Sequence, residues 1–183
     1  MMLDASALPF EENVRETARI VEAAHAAGVG VEGEIGHVGM GEDYGNFAAV
    51  SADFTRPDEA ARYASETGVD AIAVAVGTAH GHYKGEPKLD FKRLAEIRAA
   101  VETPLVLHGG SGVSDNDFRA AIRNGICKVN IFTHLDDAAL QAVRNQLADP
   151  DLKHCFQLQY ASRQAIQSVV EHYMDVFGSA GKG

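Results

Sequence analysis

Ala71-Ile72-Ala73-Val74-Ala75-Val76 is an unbroken apolar run of strand length. A strand with one wet face alternates apolar and polar residues. A strand that is apolar at every position needs cover on both faces, as in a parallel sheet between two layers of helices. The flanking residues agree. A helix is predicted to begin near Pro57, Asp58 and Glu59, since proline and acidic residues suit a first turn. Another follows the run from about Asp90 to Val101.

The same strand-helix unit recurs on both sides. Met1 to Leu3, followed by Asp4, reads as the tail of a buried strand. Pro9, Glu11 and Glu12 then open a helix that carries Val14, Ala18, Val21 and Ala24 at helical spacing and stops at Gly28. Val29 to Ile35 is the next strand. It enters a loop punctuated by Gly36, Gly39, Gly41 and Gly45, which reads as a mobile segment. Further on, Leu105-Val106-Leu107 precedes a Gly109-Gly110-Ser111-Gly112 turn and a helix entered through Ser114 and Asp117 at capping-box spacing. Lys128-Val129-Asn130-Ile131 is the last strand. Two helices end the chain, the second with Ala161, Ala165, Val169 and Tyr173 on one stripe. Five alternations of strand and helix are the signature of a parallel α/β sheet.

The 183 residues, 46% of them hydrophobic, can bury one core, and no Pro- or Ser-rich linker divides them, so a single domain over residues 1–183 is expected. A formal charge of -10 argues against nucleic acid or an anionic membrane as partner, because both need clustered Lys and Arg. No apolar run reaches the roughly 20 residues of a spanning helix, and no basic segment leads an apolar one at the N-terminus. A soluble, cytoplasmic protein is expected. Cys127 and Cys155 form no paired motif and are expected to be reduced core thiols.

Parallel α/β sheets place their reactive groups at the C-terminal ends of the strands. Asp4 follows the first strand, Glu32 and Glu34 lie in the second, His80 follows the third, His108 the fourth, and Asn130 to Thr133 close the fifth. A period of two puts Glu32 and Glu34 on one face, where two carboxylates repel unless a cation or hydrogen bonds hold them. A metal is the expected answer. His80 and His108 are each followed by glycine, which lets backbone approach a bound group, and neutral imidazole suits zinc. Taken singly, each histidine is better explained by a structural role; the case rests on the two together. His82 and His37 are spare candidates for a third ligand. The Gly109–Gly112 turn and the Asn130–Thr133 strand end can supply the N–H groups and hydroxyls of a phosphate cradle, although a GGSG string is also a simple tight turn.

These motifs resemble the class II fructose- and tagatose-bisphosphate aldolases, in family order along nearly the whole chain. The matching stretches are Val31-Glu32-Gly33-Glu34-Ile35-Gly36 with Gly41-Glu42-Asp43, Gly77-Thr78-Ala79-His80-Gly81, Pro104 to Gly112, Lys128-Val129-Asn130-Ile131 and Gly178-Ser179-Ala180. The resemblance implies a (β/α)8 TIM barrel of which this chain holds the last five strand-helix units and the C-terminal helices. It implies that His80 and His108 bind a divalent metal, with zinc the first choice, and that Glu34 and Asp4 serve a second or alternate metal position. Glu42 is similar to the proton-exchanging carboxylate of the family's loop. Gly81, Gly109, Gly110, Ser111, Asn130 and Thr133 resemble the residues that hold dihydroxyacetone phosphate, and Lys84 sits beside a loop that binds a monovalent cation.

Two departures stand out. The family's first three strands are not matched; they carry the third metal histidine and an aspartic acid that protonates the aldehyde oxygen. Phe132 stands where relatives carry Asp or a small residue, followed by His134. The reading is therefore a metal-dependent aldolase acting on a phosphorylated ketose, probed against two rivals: an inactive aldolase-like remnant that binds metal or phosphate, and a metal-free phosphate-binding barrel isomerase. Open sheet edges would favour association, and a homodimer through Gln157, Gln159 and Tyr160 is expected against the alternative of plain exposed helix surface.

Overall fold

The strand begun by Ala71 lies in the middle of a five-stranded sheet whose spatial order, β1-β2-β3-β4-β5, is the chain order. The computed structural model describes residues 1–43 and 54–182. The strands are β1 (Met2–Leu3), β2 (Glu32–Ile35), β3 (Ala71–Val74), β4 (Leu105–Leu107) and β5 (Ile126–Val129), and each pairs in parallel with the next. Helices α1 (Phe10–Ala26), α2 (Pro57–Thr67), α3 (Phe91–Ala100) and α4 (Asp115–Arg123) make the crossovers. Ile72 to Val76 are all buried, as an apolar run between two layers requires.

The helix boundaries follow from local chemistry. Pro9 precedes α1, with Glu11 and Glu12 in the first turn facing the positive end of the helix dipole. Pro57 opens α2, and Gly68 ends it at φ 70, in the left-handed region. The Asp90 carboxylate accepts from the Arg93 amide at the start of α3 (2.9 Å). Ser114 caps α4 by accepting from the Asp117 amide (3.1 Å), but its hydroxyl also donates to the Asp117 carboxylate (2.8 Å). The predicted spacing thus yields a cap whose acidic partner takes the hydroxyl.

Three strand limits differ from the sequence reading. β2 starts at Glu32 rather than Val29, because the Val31 amide is spent on the Asp70 carboxylate (2.6 Å). β3 stops at Val74 because Thr55 takes over beyond it: its amide donates to the Ala75 carbonyl and its hydroxyl accepts from the Ala75 amide. β5 spans Ile126–Val129, not Lys128 to Ile131, starting directly after Gly125 at φ 107. Its register slips opposite Leu105 and Val106, leaving Cys127 as the extra residue of an irregular pairing. Cys127 is exposed there, and Cys155 is exposed at the first position of the last helix. The expectation of core thiols is corrected: both are free but at the surface. Of the glycine loop after β2, Gly45 lies outside the described residues.

The chain forms two compact units, Met1–Asn130 and Ile131–Gly183. The second is a pair of packed helices, α5 (Thr133–Leu147) and α6 (Cys155–Phe177). Tyr173, at the end of the expected stripe, is buried, whereas Gln159 and Tyr160 are exposed. Gln157 is engaged at the start of α6, where its side-chain carbonyl accepts from the Lys153 and His154 amides. In the first unit the sheet is open, with β1 and β5 at its edges and Met2, Cys127 and Lys128 exposed along them.

Candidate functional site

The second strand is positioned from below by a buried polar knot. The Asn13 side-chain Nδ2 of α1 donates to the Glu34 carbonyl (2.8 Å), and both Thr17 and Tyr63 donate to the Asn13 side-chain oxygen (3.0 and 3.2 Å). Position 33 is glycine for a steric reason: a Cβ there would collide with the Tyr63 hydroxyl. With the strand so fixed, Glu32 and Glu34 point to the same side. The His108 ring, just past β4, lies between them, with Nε2 donating to Glu32 Oε1 (2.9 Å) and Nδ1 2.9 Å from Glu34 Oε2. Lys128 on β5 completes the neutralisation by donating to Glu32 Oε2 (2.9 Å) and to the Asn130 side chain (2.8 Å).

The electrostatics follow. Burial alone would depress the His108 pKa, but the carboxylates of Glu34 and Glu32 outweigh it and raise it above the usual imidazole value. Burial likewise opposes ionisation of Glu32, yet Lys128 and His108 win and hold its pKa below the carboxylate norm. His80 behaves oppositely: burial, then the neighbouring His108, lower its pKa and favour the neutral ring. The His80 and His108 rings stand 5.8 Å apart between centroids, tilted by 53°. The two histidines read from separate strand ends therefore do meet.

Asp4 and Glu34 join the same neighbourhood through Ser6. The Ser6 hydroxyl donates to Asp4 Oδ1 (2.7 Å), and it lies 3.4 Å from Glu34 Oε1 and 3.3 Å from His37 Nδ1. Of the two spare histidines, His37 thus borders the site; both His37 and His82 are exposed. Glu34 Oε2, despite its closeness to His108, is buried without a hydrogen-bond donor in line. Among the described residues, no three His, Cys, Asp or Glu side chains converge on one point.

The loops above the strands are laced together. The Tyr83 hydroxyl accepts from the Ala79 amide (2.6 Å) and donates to the Gly109 carbonyl (2.8 Å), tying the loop after β3 to the turn after β4. Gly109, at φ 65, is required here, since a Cβ would strike the Ala79 carbonyl. Residues 39–41 are clamped to the same loop: the His80 amide donates to the Gly39 carbonyl (2.8 Å) and the Gly41 amide to the His80 carbonyl (2.6 Å). Glu42 follows directly, exposed on a single 3-10 turn, Gly41–Asp43. In the predicted cradle, the Gly110 amide is already spent on the Asn130 carbonyl (3.1 Å), Ser111 is buried, and Gly81 packs near Met40. Lys84 is exposed, its amide donating to the Gly41 carbonyl. Thr133 begins the first helix of the second unit, after an exposed Phe132. In that unit His134 Nδ1 lies 2.7 Å from the Tyr173 hydroxyl. Lys128, Tyr63, Asn13, Ser6 and Tyr83 escaped the sequence reading; all act across long separations, and only the lone glycine between two glutamates hinted at any of them.

The model of the class II fructose-bisphosphate aldolase family matches residues 1–182. The chain belongs to the class II fructose-bisphosphate aldolase family. This class II chain is 43% identical over 182 residues to the uncharacterized protein YdjI of Escherichia coli (strain K12), covering 100% of itself and 64% of YdjI. It is similar to the crystal structure of the YdjI aldolase from Escherichia coli K12, with a TM-score of 0.84 and 40% identity over 99% of this chain and 61% of that one. The crystal structure of fructose-bisphosphate aldolase from Campylobacter jejuni, at 24% identity and a TM-score of 0.76, shares the fold over 97% of this chain and 59% of its own. The class II chain thus spans less than two thirds of the relatives it matches. Its open sheet of five parallel strands is the counterpart of part of their TIM-barrel wall.

Proposed function

We propose that this chain carries the catalytic end of a metal-dependent aldolase that cleaves a ketose (bis)phosphate into dihydroxyacetone phosphate and an aldehyde. The meeting of His80 and His108 beside Glu34 supports this reading best. Two imidazoles bound at about 2.1 Å to one tetrahedral cation have ring centroids roughly 5 to 6 Å apart. The observed 5.8 Å falls in that range. Buried Glu34 Oε2, 2.9 Å from His108 Nδ1 but out of hydrogen-bond alignment with it, is an oxygen that a cation beside that ring would also satisfy. The two imidazoles are therefore a partial ligand pair for a divalent ion, and Glu34 beside His108 and Asp4, oriented by Ser6, are the carboxylates that would move in to complete it. When bound, such an ion, zinc by its affinity for imidazole, polarises the substrate ketone.

The remaining work falls to the chain. Glu42 stands exposed on a turn anchored to His80, a placement suited to moving the proton at the nucleophilic carbon of the triose phosphate. Gly81, Gly109, Ser111 and Asn130 would hold the phosphate and hydroxyls, while Gly110, its amide engaged, shapes the turn. Lys84 borders a loop suited to a monovalent cation. Two free exposed thiols suit a reducing compartment, here the cytoplasm, and the open sheet edges suit a homodimer. No helix of the described residues is long and apolar enough to cross a membrane.

The test is aldol cleavage of fructose and tagatose bisphosphates, coupled to reduction of dihydroxyacetone phosphate, with and without a chelator. Cleavage that stops on chelation and returns with zinc is expected. No cleavage by metal-supplied protein would favour the remnant, and activity that survives chelation would favour the metal-free isomerase class.

A further inference from the structure

Resting on the aldolase reading, we propose that Glu32 and Lys128 are positioning residues that fix which nitrogen of His108 faces the cation. The ring lies between two carboxylates on one strand face, one on each nitrogen. Glu34, a candidate ligand, stands 2.9 Å from Nδ1; Glu32 accepts from Nε2 on the other side. A metal-bound histidine ordinarily donates its second ring N–H to a carboxylate, which sets its orientation and strengthens it as a ligand. Glu32 occupies that place.

Glu32 in turn needs a reason to stay ionised and aimed at His108 while buried. Lys128 supplies it. Its ammonium donates to the other oxygen of the same carboxylate, Glu32 Oε2, and is itself steadied by the Asn130 side chain. The chain Asn130–Lys128–Glu32–His108 runs from the edge strand β5 to β2, past the end of β4, so no single local segment can reproduce it. Lys128 is half-exposed, with side-chain accessibility of 52%, so its replacement leaves the core untouched.

The experiment uses the intact chain with Glu32→Ala, Lys128→Met and Lys128→Arg, checked for fold by circular dichroism. In metal-free protein, nitrogen-15 NMR should show a slowly exchanging, downfield His108 Nε2–H that Glu32→Ala abolishes, Lys128→Met broadens and Lys128→Arg retains. In competition with a chromophoric chelator, Glu32→Ala should weaken Zn2+ binding by about 10- to 100-fold, Lys128→Met by less and Lys128→Arg least. The visible spectrum of the Co2+ form should change in the same order. An unaltered Nε2–H signal in Glu32→Ala, or wild-type Zn2+ affinity and Co2+ spectrum in folded Glu32→Ala, overturns the positioning role and leaves the aldolase reading standing. A wild-type chain that binds no Zn2+ or Co2+ sinks the aldolase reading instead, and the proton signal then decides whether Glu32 orients the ring.

Discussion

Glu42 and Tyr63 show how much one side chain can be asked to do at opposite ends of β2. Glu42 sits exposed on a single turn, so its removal should leave the metal groups in place. Glu42→Gln is expected to cut turnover by about 10²- to 10⁴-fold, the range for losing a general acid-base group, with the zinc content of the purified protein unchanged. An unaltered kcat would take it out of the mechanism. Tyr63 is buried, and burial raises its pKa above the usual phenol value, with the Thr17 hydrogen bond offsetting only part. A phenol harder to ionise folded than unfolded contributes fully below pH about 10 and loses that contribution as pH climbs through the raised folded value. Urea midpoints measured from about pH 8 to 11 should therefore fall more steeply for the wild type than for Tyr63→Phe. Parallel curves would mean that the buried hydroxyl does not titrate with unfolding. His80 and His108 were legible in the sequence because each follows an apolar strand, and strand ends converge. The Glu32–Lys128 contact was not, since its partners are 96 residues apart and nothing local marks them as a pair. Of the two ways to relieve the repulsion between Glu32 and Glu34, a cation or hydrogen bonds, the chain itself supplies hydrogen bonds and charge from His108 and Lys128.

Strands and helices carried the clearest local signals, and their errors have local causes. Ala71 to Val76 announced a strand covered on both faces, and all but the partly exposed Ala71 are buried. The apolar run overshoots β3 by two residues because hydrophobicity continues past Val74 while the ladder ends at Thr55. The sequence reading placed β5 two residues late because Lys128-Val129-Asn130 carries the family motif, whereas pairing begins after Gly125 and passes through an irregularity at Cys127. That irregularity also turned an expected core thiol to the surface. Caps were read more safely, since they depend on neighbours three residues apart. Ser114→Ala removes the oxygen that accepts from the Asp117 amide and should cost about 1 kcal/mol. The measurement is the shift in urea midpoint at unchanged slope, and a shift near zero would show that the Asp117 carboxylate or water caps α4 equally well.

Across the first unit, all five strands bring ionisable groups to one region, Asp4, Glu34, His80, His108 and Lys128, and the sheet that carries them is open at β1 and β5. A site assembled from separate strands ties its ligand to the fold: only the folded chain brings His80, His108 and Glu34 together, so an ion that they bind must stabilise the folded state. At a free zinc concentration about 100 times the dissociation constant, the gain is about 2.7 kcal/mol. For a chain of this length that corresponds to a rise in melting temperature of roughly 5 to 10 °C. Thermal melts with zinc and then with excess chelator should show this rise and its reversal. His80→Ala should flatten the response without unfolding the chain, because its backbone, not its side chain, pairs with the Gly39–Gly41 segment. His108→Ala should flatten it too while lowering the metal-free melting temperature, since it leaves Glu32 and Glu34 facing each other without the ring between them. A zinc response that persists in both variants would place the ion elsewhere on the molecule and end the case for a shared cation at these strand tips.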